Sequence, residues 1–386
     1  MDVIRSKLGL IALIVFSIVG FRPTPIHRDL AVTIEKAKIS AASGLAEEAL
    51  RYLDDAINLD AEFTSLYINI AAAALATENV DQAEKFIEYL KEYNLQDERT
   101  LCLEFDLLSK IGDAEGALEI WKSNDAACQD EIDFLRTIAF QLISERDFLL
   151  ADEALKALSE ELPADPEVQF FRGLFLATKE PEASLAYLRL SDELMLEKNP
   201  IALELVRRIE DARIVESEAY TLAQAGQVLA KYGYWGFAAN AFQNALEIEP
   251  TYVDAHTFLG LSLDELGGTG FESYQRAIEL ADNQALPHIY LGMHWIRNGY
   301  PEIALEKFEK AKELEPENPI VNVQIGNAYE MLGEIEIAIE AYRIATELSP
   351  QDSTFWIVLA QASLNHEFHV ATMGQPAARN AVALEP

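Results

Sequence analysis

Residues 219–350 decide the fold, because one pattern of small and large residues recurs in them about every 34 positions. Residues 223–250 read AQAGQVLAKYGYWGFAANAFQNALEIEP, residues 289–316 read IYLGMHWIRNGYPEIALEKFEKAKELEP, and residues 323–350 read VQIGNAYEMLGEIEIAIEAYRIATELSP. The aligned positions are Gly226, Ala238, Phe242, Ala245 and Pro250, then Gly292, Ala304, Phe308, Ala311 and Pro316, then Gly326, Ala338, Tyr342, Ala345 and Pro350. A generic amphipathic bundle does not match three times in one register, so the pattern indicates a repeated structural unit.

The order of these residues predicts two antiparallel helices in each unit. A glycine such as Gly292 lets the returning helix approach closely, and the aromatic residue lies on the same face of that helix as the alanine four positions before it. A second glycine, such as Gly299, stands between the helices, where a tight turn favours a residue that tolerates positive φ. The closing proline, such as Pro316, cannot continue the hydrogen-bond ladder and therefore ends the second helix.

These residues resemble the tetratricopeptide repeat, a helix–turn–helix unit with a small residue, an aromatic residue, a small residue and a closing proline at these intervals. The resemblance extends from about residue 30 to the end of the sequence and is strongest in residues 219–350. It implies an all-α fold, a right-handed superhelical solenoid of about ten antiparallel helix pairs preceded by one short hydrophobic helix. It also implies a scaffold for protein–protein contacts.

The sequence divides into five segments on this interpretation. Residues 1–21 are a hydrophobic anchor or signal segment, and residues 22–29 are a proline-containing linker. Residues 30–198 hold degenerate repeats, and residues 219–386 hold well-defined ones. Residues 199–218 break the register but keep apolar residues at helical spacing, which predicts an extra helix as a junction between two arrays; a diverged repeat is the alternative.

The first 21 residues differ from everything that follows them. Arg5 and Lys7 precede an unbroken apolar run over residues 8–21, which Arg22 and Pro23 close. A helix over residues 3–21 would be ~28 Å long, close to the ~30 Å hydrocarbon layer of a membrane. We therefore expect a membrane anchor that leaves the repeats on the extracytoplasmic side; a cleaved signal peptide and a periplasmic or secreted protein are the alternative.

The charge of the chain argues against one large class of partner. The formal net charge is −35, from 65 acidic and 30 basic residues. Phosphate backbones are bound by clustered lysine and arginine, so nucleic-acid binding is not expected. The acidic excess either keeps the outer surface of a long solenoid solvated or favours basic partners.

The two cysteines, Cys102 and Cys128, fall at the start of one first helix and in the loop after its second helix. An antiparallel pair returns both positions to the same end, so the geometry allows a disulfide. Such a bond would suit an exported protein, and two unpaired thiols are the alternative.

No converging set of titratable residues predicts catalysis, and we expect neither a cofactor nor a metal site. His366 and His369 flank Glu367, but they lack the i,i+4 spacing and the third ligand of a zinc protease. His256 and His288 take equivalent positions on adjacent first helices, where packed histidines are the simpler interpretation.

The groove lined by the first helices is the remaining candidate for a functional surface. Amides would suit a peptide backbone, Tyr290 and Met293 an apolar anchor, and Arg297 a carboxylate. The chaperone-tail ligand of some tetratricopeptide proteins is disfavoured, because the matching positions are Ala223, Gln227, Thr257 and Leu261. The residues expected to point into the groove are Gln224, Gln227, Lys231, Asp254, Thr257, Asp264, Ile289, Tyr290, Met293, Arg297, Val323, Gln324, Asn327 and Glu330.

The sequence thus predicts a non-enzymatic, membrane-tethered scaffold that binds a peptide segment or a partner domain in this groove. A secreted or periplasmic assembly factor of the same fold is the first alternative, and an accessory or regulatory subunit of an enzyme complex is the second. The last repeat has no polar capping helix after it, which predicts self-association or packing on a partner, unless the sequence is truncated.

Overall fold

The computed structural model describes residues 28–42, 48, 51–52, 55–56, 59, 71, 74–75, 80–92, 98–123, 132–145 and 147–384. Within these residues there are nineteen α-helices of defined bounds and no β-strand, which confirms the all-α fold class. The hydrophobic segment predicted over residues 1–21 lies outside them. None of the described helices is both long and apolar enough to span a membrane.

The chain divides into two compact units, Met1–Pro163 and Ala164–Pro386. In the first unit, α3 packs on α4 and α5 packs on α6, and the buried ring of Phe105 contacts Trp121 at 5.8 Å between centroids. The described helices of this unit are α1 (Arg28–Ala42), α2 (Val80–Glu92), α3 (Glu98–Ile111), α4 (Ala114–Ser123), α5 (Ile132–Glu145) and α6 (Phe148–Glu161).

The described part of the second unit, residues 164–384, contains six pairs of α-helices and one single α-helix. Its helices are α7 (Pro166–Ala177), α8 (Pro181–Leu194), α9 (Pro200–Ala212), α10 (Glu218–Lys231), α11 (Trp235–Ile248), α12 (Val253–Glu265), α13 (Phe271–Leu280), α14 (Ala285–Arg297), α15 (Pro301–Leu314), α16 (Pro319–Met331), α17 (Ile335–Leu348), α18 (Ser353–Asn365) and α19 (Gln375–Leu384). The pairs are α7/α8, α10/α11, α12/α13, α14/α15, α16/α17 and α18/α19.

The first helices of successive pairs also contact one another. Helix α10 packs on α12, α12 on α14, and α14 on α16. The second helix of each of these pairs packs on the first helix of the next pair. The first helices therefore form one layer of the unit, and their side chains away from the second helices are free to line a binding surface.

The repeated glycines bring the two helices of a pair into close contact. A Cβ added to Gly292 would lie 2.3 Å from Cε1 of Phe308, whose ring is fully buried. The turn that follows contains Gly299 at a φ of +81°, a conformation that L side chains rarely adopt. Helix α15 ends at Leu314, two residues before Pro316. Both helices of the pair are thus arranged as the spacing of small, aromatic and proline residues predicts.

Helix α9 is the exception to the pairing. The side chain of Asn199 caps it by accepting hydrogen bonds from the backbone N–H groups of Ile201 and Ala202. The helix packs on α8 and α10, while Asn240 and Asn244 of α11 donate hydrogen bonds to Thr178 at the end of α7. The pairs α7/α8 and α10/α11 therefore contact each other directly, and α9 is an additional helix between them in the chain.

We expect Gly292→Ala to lower the free energy of unfolding by about 2 kcal/mol, because an added group in a filled core costs roughly 1–3 kcal/mol. The control is Gly299→Ala, which has no atom within 4 Å of the added Cβ and reports only the cost of the positive φ, about 1 kcal/mol. Urea unfolding midpoints followed by circular dichroism measure both effects.

Phe308→Leu in the Gly292→Ala background tests the steric cause directly, because the smaller side chain frees the space that the new methyl group needs. The double variant should be less destabilised than the sum of the two single variants. Strictly additive losses would contradict close packing of Gly292 on Phe308.

Candidate functional site

A cleft of about 320 Å³ lies on the first-helix layer of the second unit, between α9 and α14. Helices α9, α10, α11, α12 and α14 all contribute lining residues. We name it the α9–α14 cleft. Its lining residues are Glu204, Arg208, Gln227, Val228, Ala230, Lys231, Trp235, Phe258, Leu261 and Tyr290.

One wall of the cleft is aromatic. The half-buried ring of Phe258 meets Tyr290 edge to face at 5.8 Å and an interplanar angle of 62°. On its other side, Phe258 stacks on the buried ring of Phe242 at 5.8 Å and 20°. Burial raises the pKa of the Tyr290 hydroxyl, so this side chain stays neutral at physiological pH. The aromatic wall therefore packs on Phe242, carries no charge, and still exposes part of the Phe258 and Tyr290 rings.

An ion pair lies at the α9 side of the cleft. The Lys231 ammonium donates to both carboxylate oxygens of Glu204, at 2.9 and 2.7 Å, and the Tyr232 hydroxyl donates to one of them at 2.8 Å. The hydrogen bonds from Lys231 and Tyr232 lower the pKa of the Glu204 carboxyl. Glu204 is thus ionised and its charge is balanced by Lys231, and the pair links α9 to α10.

A second cavity of about 220 Å³ adjoins the cleft, because Arg208 lines both. Arg208 Nη1 donates to the buried Gln224 Oε1 at 2.9 Å. We name this second space the arginine cavity. Its lining residues are Arg207, Arg208, Asp211, Ala212, Tyr220 and Gln224.

The structure brings together only some of the predicted groove residues. Gln227, Lys231 and Tyr290 line the α9–α14 cleft, and Gln224 lines the arginine cavity. Arg297 is exposed and paired with Glu265 outside both.

The other predicted groove residues lie elsewhere. Thr257 is fully buried and donates to the Val253 carbonyl at 2.9 Å, and Ile289 belongs to the core around Phe308. Both stand three positions before a crossing glycine, and that position faces the core rather than the cleft. Five further residues that were expected in the groove do not line the cleft either. Burial raises the pKa of the Asp254 carboxyl, and Met293 and Val323 pack against core clusters. Asn327 donates a hydrogen bond to Gln324.

Several residues that line the cleft were not predicted from the sequence, although the position of some of them relative to a repeat glycine could have identified them. Phe258 stands two positions before Gly260, as Tyr290 stands two positions before Gly292. Leu261 follows Gly260 directly, as Gln227 follows Gly226 in the repeat before it. No repeat signal exists for Glu204 and Arg208, because α9 lies outside the repeats.

Asp264, also expected in the groove, is instead the centre of a buried hydrogen-bond network. Its carboxylate accepts from the Gly270 backbone N–H at 2.7 Å, from the Tyr274 hydroxyl at 3.1 Å and from His294 Nδ1 at 2.9 Å. Burial, together with the charge of Asp264, raises the pKa of Tyr274. The network joins α12, α13 and α14, so Asp264 stabilises the fold.

In the pair α16/α17, Glu330 likewise accepts a hydrogen bond from a buried tyrosine. The Tyr342 hydroxyl lies 2.8 Å from both Glu330 Oε2 and Asn327 Oδ1, and His366 Nε2 lies 2.6 Å from Glu330 Oε1. Asp264 and Glu330 both stand four positions after a crossing glycine, in the two repeats whose buried aromatic residue is tyrosine. Where that residue is Phe242 or Phe308, the equivalent positions are Ala230 and Ile296. A buried tyrosine hydroxyl needs an acceptor and a phenylalanine does not, which explains the difference.

His256 and His288 make contacts with loop carbonyls. His256 Nε2 lies 3.0 Å from the Pro250 carbonyl, and His288 Nε2 lies 3.2 Å from the Asp282 carbonyl. A carbonyl only accepts, so these Nε2 atoms carry the proton. Within the described part of the chain, no group of three or more His, Cys, Asp or Glu side chains is placed to hold a metal ion.

Cys102 lies half-buried in α3, and Cys128 lies outside the described residues. Their pairing stays a prediction.

Comparison with known proteins gives a family match over a small part of the chain. Residues 321–362, which include all of α17, match the tetratricopeptide repeat family. No curated protein matches the chain. The match therefore identifies the repeat type for residues 321–362.

Solved structures of MamA show a partial likeness at low sequence identity. One titled "Crystal structure of MamA" is 20% identical, covers 42% of this chain and 94% of its own, and has a TM-score of 0.35. "MamA 41-end from Desulfovibrio magneticus RS-1" is 17% identical over 43% of this chain and 92% of its own, also with a TM-score of 0.35. "MamA MSR-1 C2" is 22% identical over 43% of this chain and 96% of its own, with a TM-score of 0.34.

We expect Asp264→Ala to lower the free energy of unfolding by about 3 kcal/mol, because it leaves Tyr274 and His294 buried without their shared acceptor. Glu265→Ala is the matched control on the next residue. The side chain of Glu265 is 33% exposed against 4% for that of Asp264, and loss of its surface pair with Arg297 should cost less than about 1 kcal/mol. Thermal and urea unfolding measure both variants, and equal losses would contradict a buried network.

Proposed function

We propose that this chain is a protein-interaction scaffold whose α9–α14 cleft anchors a large apolar side chain of a peptide segment or partner domain. The observation that supports it is the convergence of Trp235, Phe258 and Tyr290 on one cleft, each only half-buried. Aromatic residues that remain partly exposed in a concave site are common anchors in protein recognition.

The size of the cleft suits this use. At about 320 Å³ it is near the lower limit for small-molecule sites, roughly 300–1,000 Å³. Such a space accommodates one large side chain rather than a whole helix. The rest of a bound segment would lie across α10, α12 and α14, where Gln227 offers an amide to its backbone.

The chemistry of the cleft favours binding over catalysis. Its carboxylate, Glu204, is held by Lys231 and Tyr232. None of its lining side chains is a histidine, cysteine or serine that could act as a nucleophile or a base beside it. A non-enzymatic scaffold is therefore the function we propose for this part of the chain.

We also propose that residues 1–21 tether the protein to a membrane with the repeats outside the cytoplasm. The support is the apolar run over residues 8–21 behind Arg5 and Lys7. A periplasmic or secreted assembly factor, or an accessory subunit of an enzyme complex, would use the same cleft without a permanent anchor.

The tether has a direct test in the intact mass of the protein from the membrane fraction. The full-length mass in a fraction that resists alkaline extraction is the expected result. A mass lower by about the first two dozen residues, recovered in the soluble fraction, would show cleavage of a signal peptide and exclude the anchor.

For the cleft, we expect aromatic truncation to weaken peptide binding. Peptides selected from a random displayed library on the full-length protein should lose at least about tenfold in affinity with Tyr290→Ala or Phe258→Ala, since such anchors contribute about 2 kcal/mol or more. Isothermal titration calorimetry measures the affinities, and circular dichroism confirms that each variant is folded.

The matched control for these variants is Arg297→Ala. Arg297 lies on the same helix as Tyr290, but it is exposed, paired with Glu265 and outside the cleft lining. Its removal should leave the affinities within about twofold, as surface substitutions away from a site usually do. Equal affinity in the wild type and both aromatic variants would exclude the α9–α14 cleft as the binding site.

A further inference from the structure

The α9–α14 cleft and the arginine cavity adjoin each other at Arg208. Arg208 lines both, and Gln224, which lines the arginine cavity, is three residues before Gln227, which lines the cleft. The first part is walled by aromatic rings, and the second is walled by two guanidinium groups. A ligand seated in the cleft would therefore present its next groups to Arg207 and Arg208.

The two guanidinium groups have unused hydrogen-bonding capacity. Arg207 is exposed and forms no hydrogen bond or ion pair with any residue that the structure describes. Arg208 forms one hydrogen bond within the described chain, from Nη1 to Gln224, and its Nε is buried without an acceptor. Because an arginine has five N–H donors in a planar fork, most of the donors of this pair remain available.

The local charge also differs in sign from that of the chain. In the cleft, Lys231 and Glu204 cancel. In the arginine cavity, two positive residues, Arg207 and Arg208, face one negative residue, Asp211, which leaves a net charge of +1. The whole chain carries −35. At physiological salt, charges beyond about 8 Å are largely screened, so the local excess decides which ligand group is attracted.

We infer that the segment bound in the cleft carries an acidic side chain close to its apolar anchor, and that Arg207 and Arg208 receive this carboxylate. This inference depends on the proposed function, since it names the chemistry of the segment that the cleft holds. Because Arg208 lines both spaces, we place the acidic residue within about two positions of the anchor, at about 3.8 Å between consecutive Cα atoms. Guanidinium donors form charge-assisted hydrogen bonds with a carboxylate.

The test uses the full-length protein and four synthetic peptides that differ at two positions. Three of them place Asp, Asn or Lys before a Phe anchor: Ac-Gly-Gly-Asp-Phe-Gly-Gly-NH₂ and its Asn and Lys analogues. The fourth, Ac-Gly-Gly-Asp-Ala-Gly-Gly-NH₂, keeps the acidic side chain and lacks the aromatic anchor.

We expect the Asp–Phe peptide to bind roughly tenfold more tightly than the Asn–Phe peptide, and the Lys–Phe peptide to bind most weakly of the three. The preference for Asp should fall with added salt. Calorimetric or NMR titration measures the ratios.

Charge-removing variants assign the preference to the two arginines. In the double variant Arg207→Gln, Arg208→Gln, the Asp–Phe and Asn–Phe peptides should bind alike, at the affinity that the wild type shows for Asn–Phe. Arg207→Gln alone should lose part of the preference; because Arg207 is exposed, this variant remains informative if removal of Arg208 perturbs the fold. Arg213→Gln is the matched control, since Arg213 lies just after α9, pairs with Glu182 and lines neither part of the site.

The outcomes separate the two proposals. If the wild type binds the Asp–Phe, Asn–Phe and Lys–Phe peptides equally, or binds Lys–Phe best, the acidic ligand is excluded while the aromatic anchor site stands. If the preference for Asp survives in the double variant, Arg207 and Arg208 do not receive the carboxylate. If no Phe peptide binds more tightly than the Asp–Ala peptide, the cleft is not an apolar anchor site and the proposed function itself fails.

Discussion

The central pairs of the second unit, α10/α11 to α16/α17, depend on one contact, the close approach of a glycine in the first helix to a buried aromatic ring in the second helix. The Cα of such a glycine has no space for even one methyl group, because an added Cβ would lie 2.8 Å or less from the facing ring. This contact fixes the spacing of the two helices and orients the first helix. The contacts are Gly226 with Phe242, Gly260 with Tyr274, Gly292 with Phe308 and Gly326 with Tyr342.

The orientation set by the glycine decides which side chains can serve a ligand. Positions three before the glycine, Thr257 and Ile289, turn into the core. Positions two before it, Phe258 and Tyr290, line the cleft. A step of one residue rotates a helix by about 100°, so an error of one position in the register moves a residue from the cleft to the core.

The candidate site occurs where the regular repeat is interrupted. Helix α9 packs on α8 and α10 without a helix partner of its own, and it supplies Glu204, Arg207 and Arg208. Regular pairs alone would present an open layer of first helices. The additional helix contributes Glu204 and Arg208 to the lining of the cleft, and Arg207 and Arg208 to that of the arginine cavity. These charged groups are separate from the glycine and aromatic residues that pack the helix pairs.

The sequence by itself determined the all-α fold and the helix pairs of residues 219–350, because the spacing of Gly292, Phe308 and Pro316 encodes contacts within about 25 residues of chain. It also pointed to Gln227, Lys231 and Tyr290 of the cleft. Only the tertiary structure decided that Asp264 and Glu330 are acceptors for buried tyrosines, and that α9 brings Arg208 beside the aromatic wall. The physical reason is that repeat periodicity specifies local packing, whereas the position of an unrepeated helix depends on contacts between elements that no sequence spacing records.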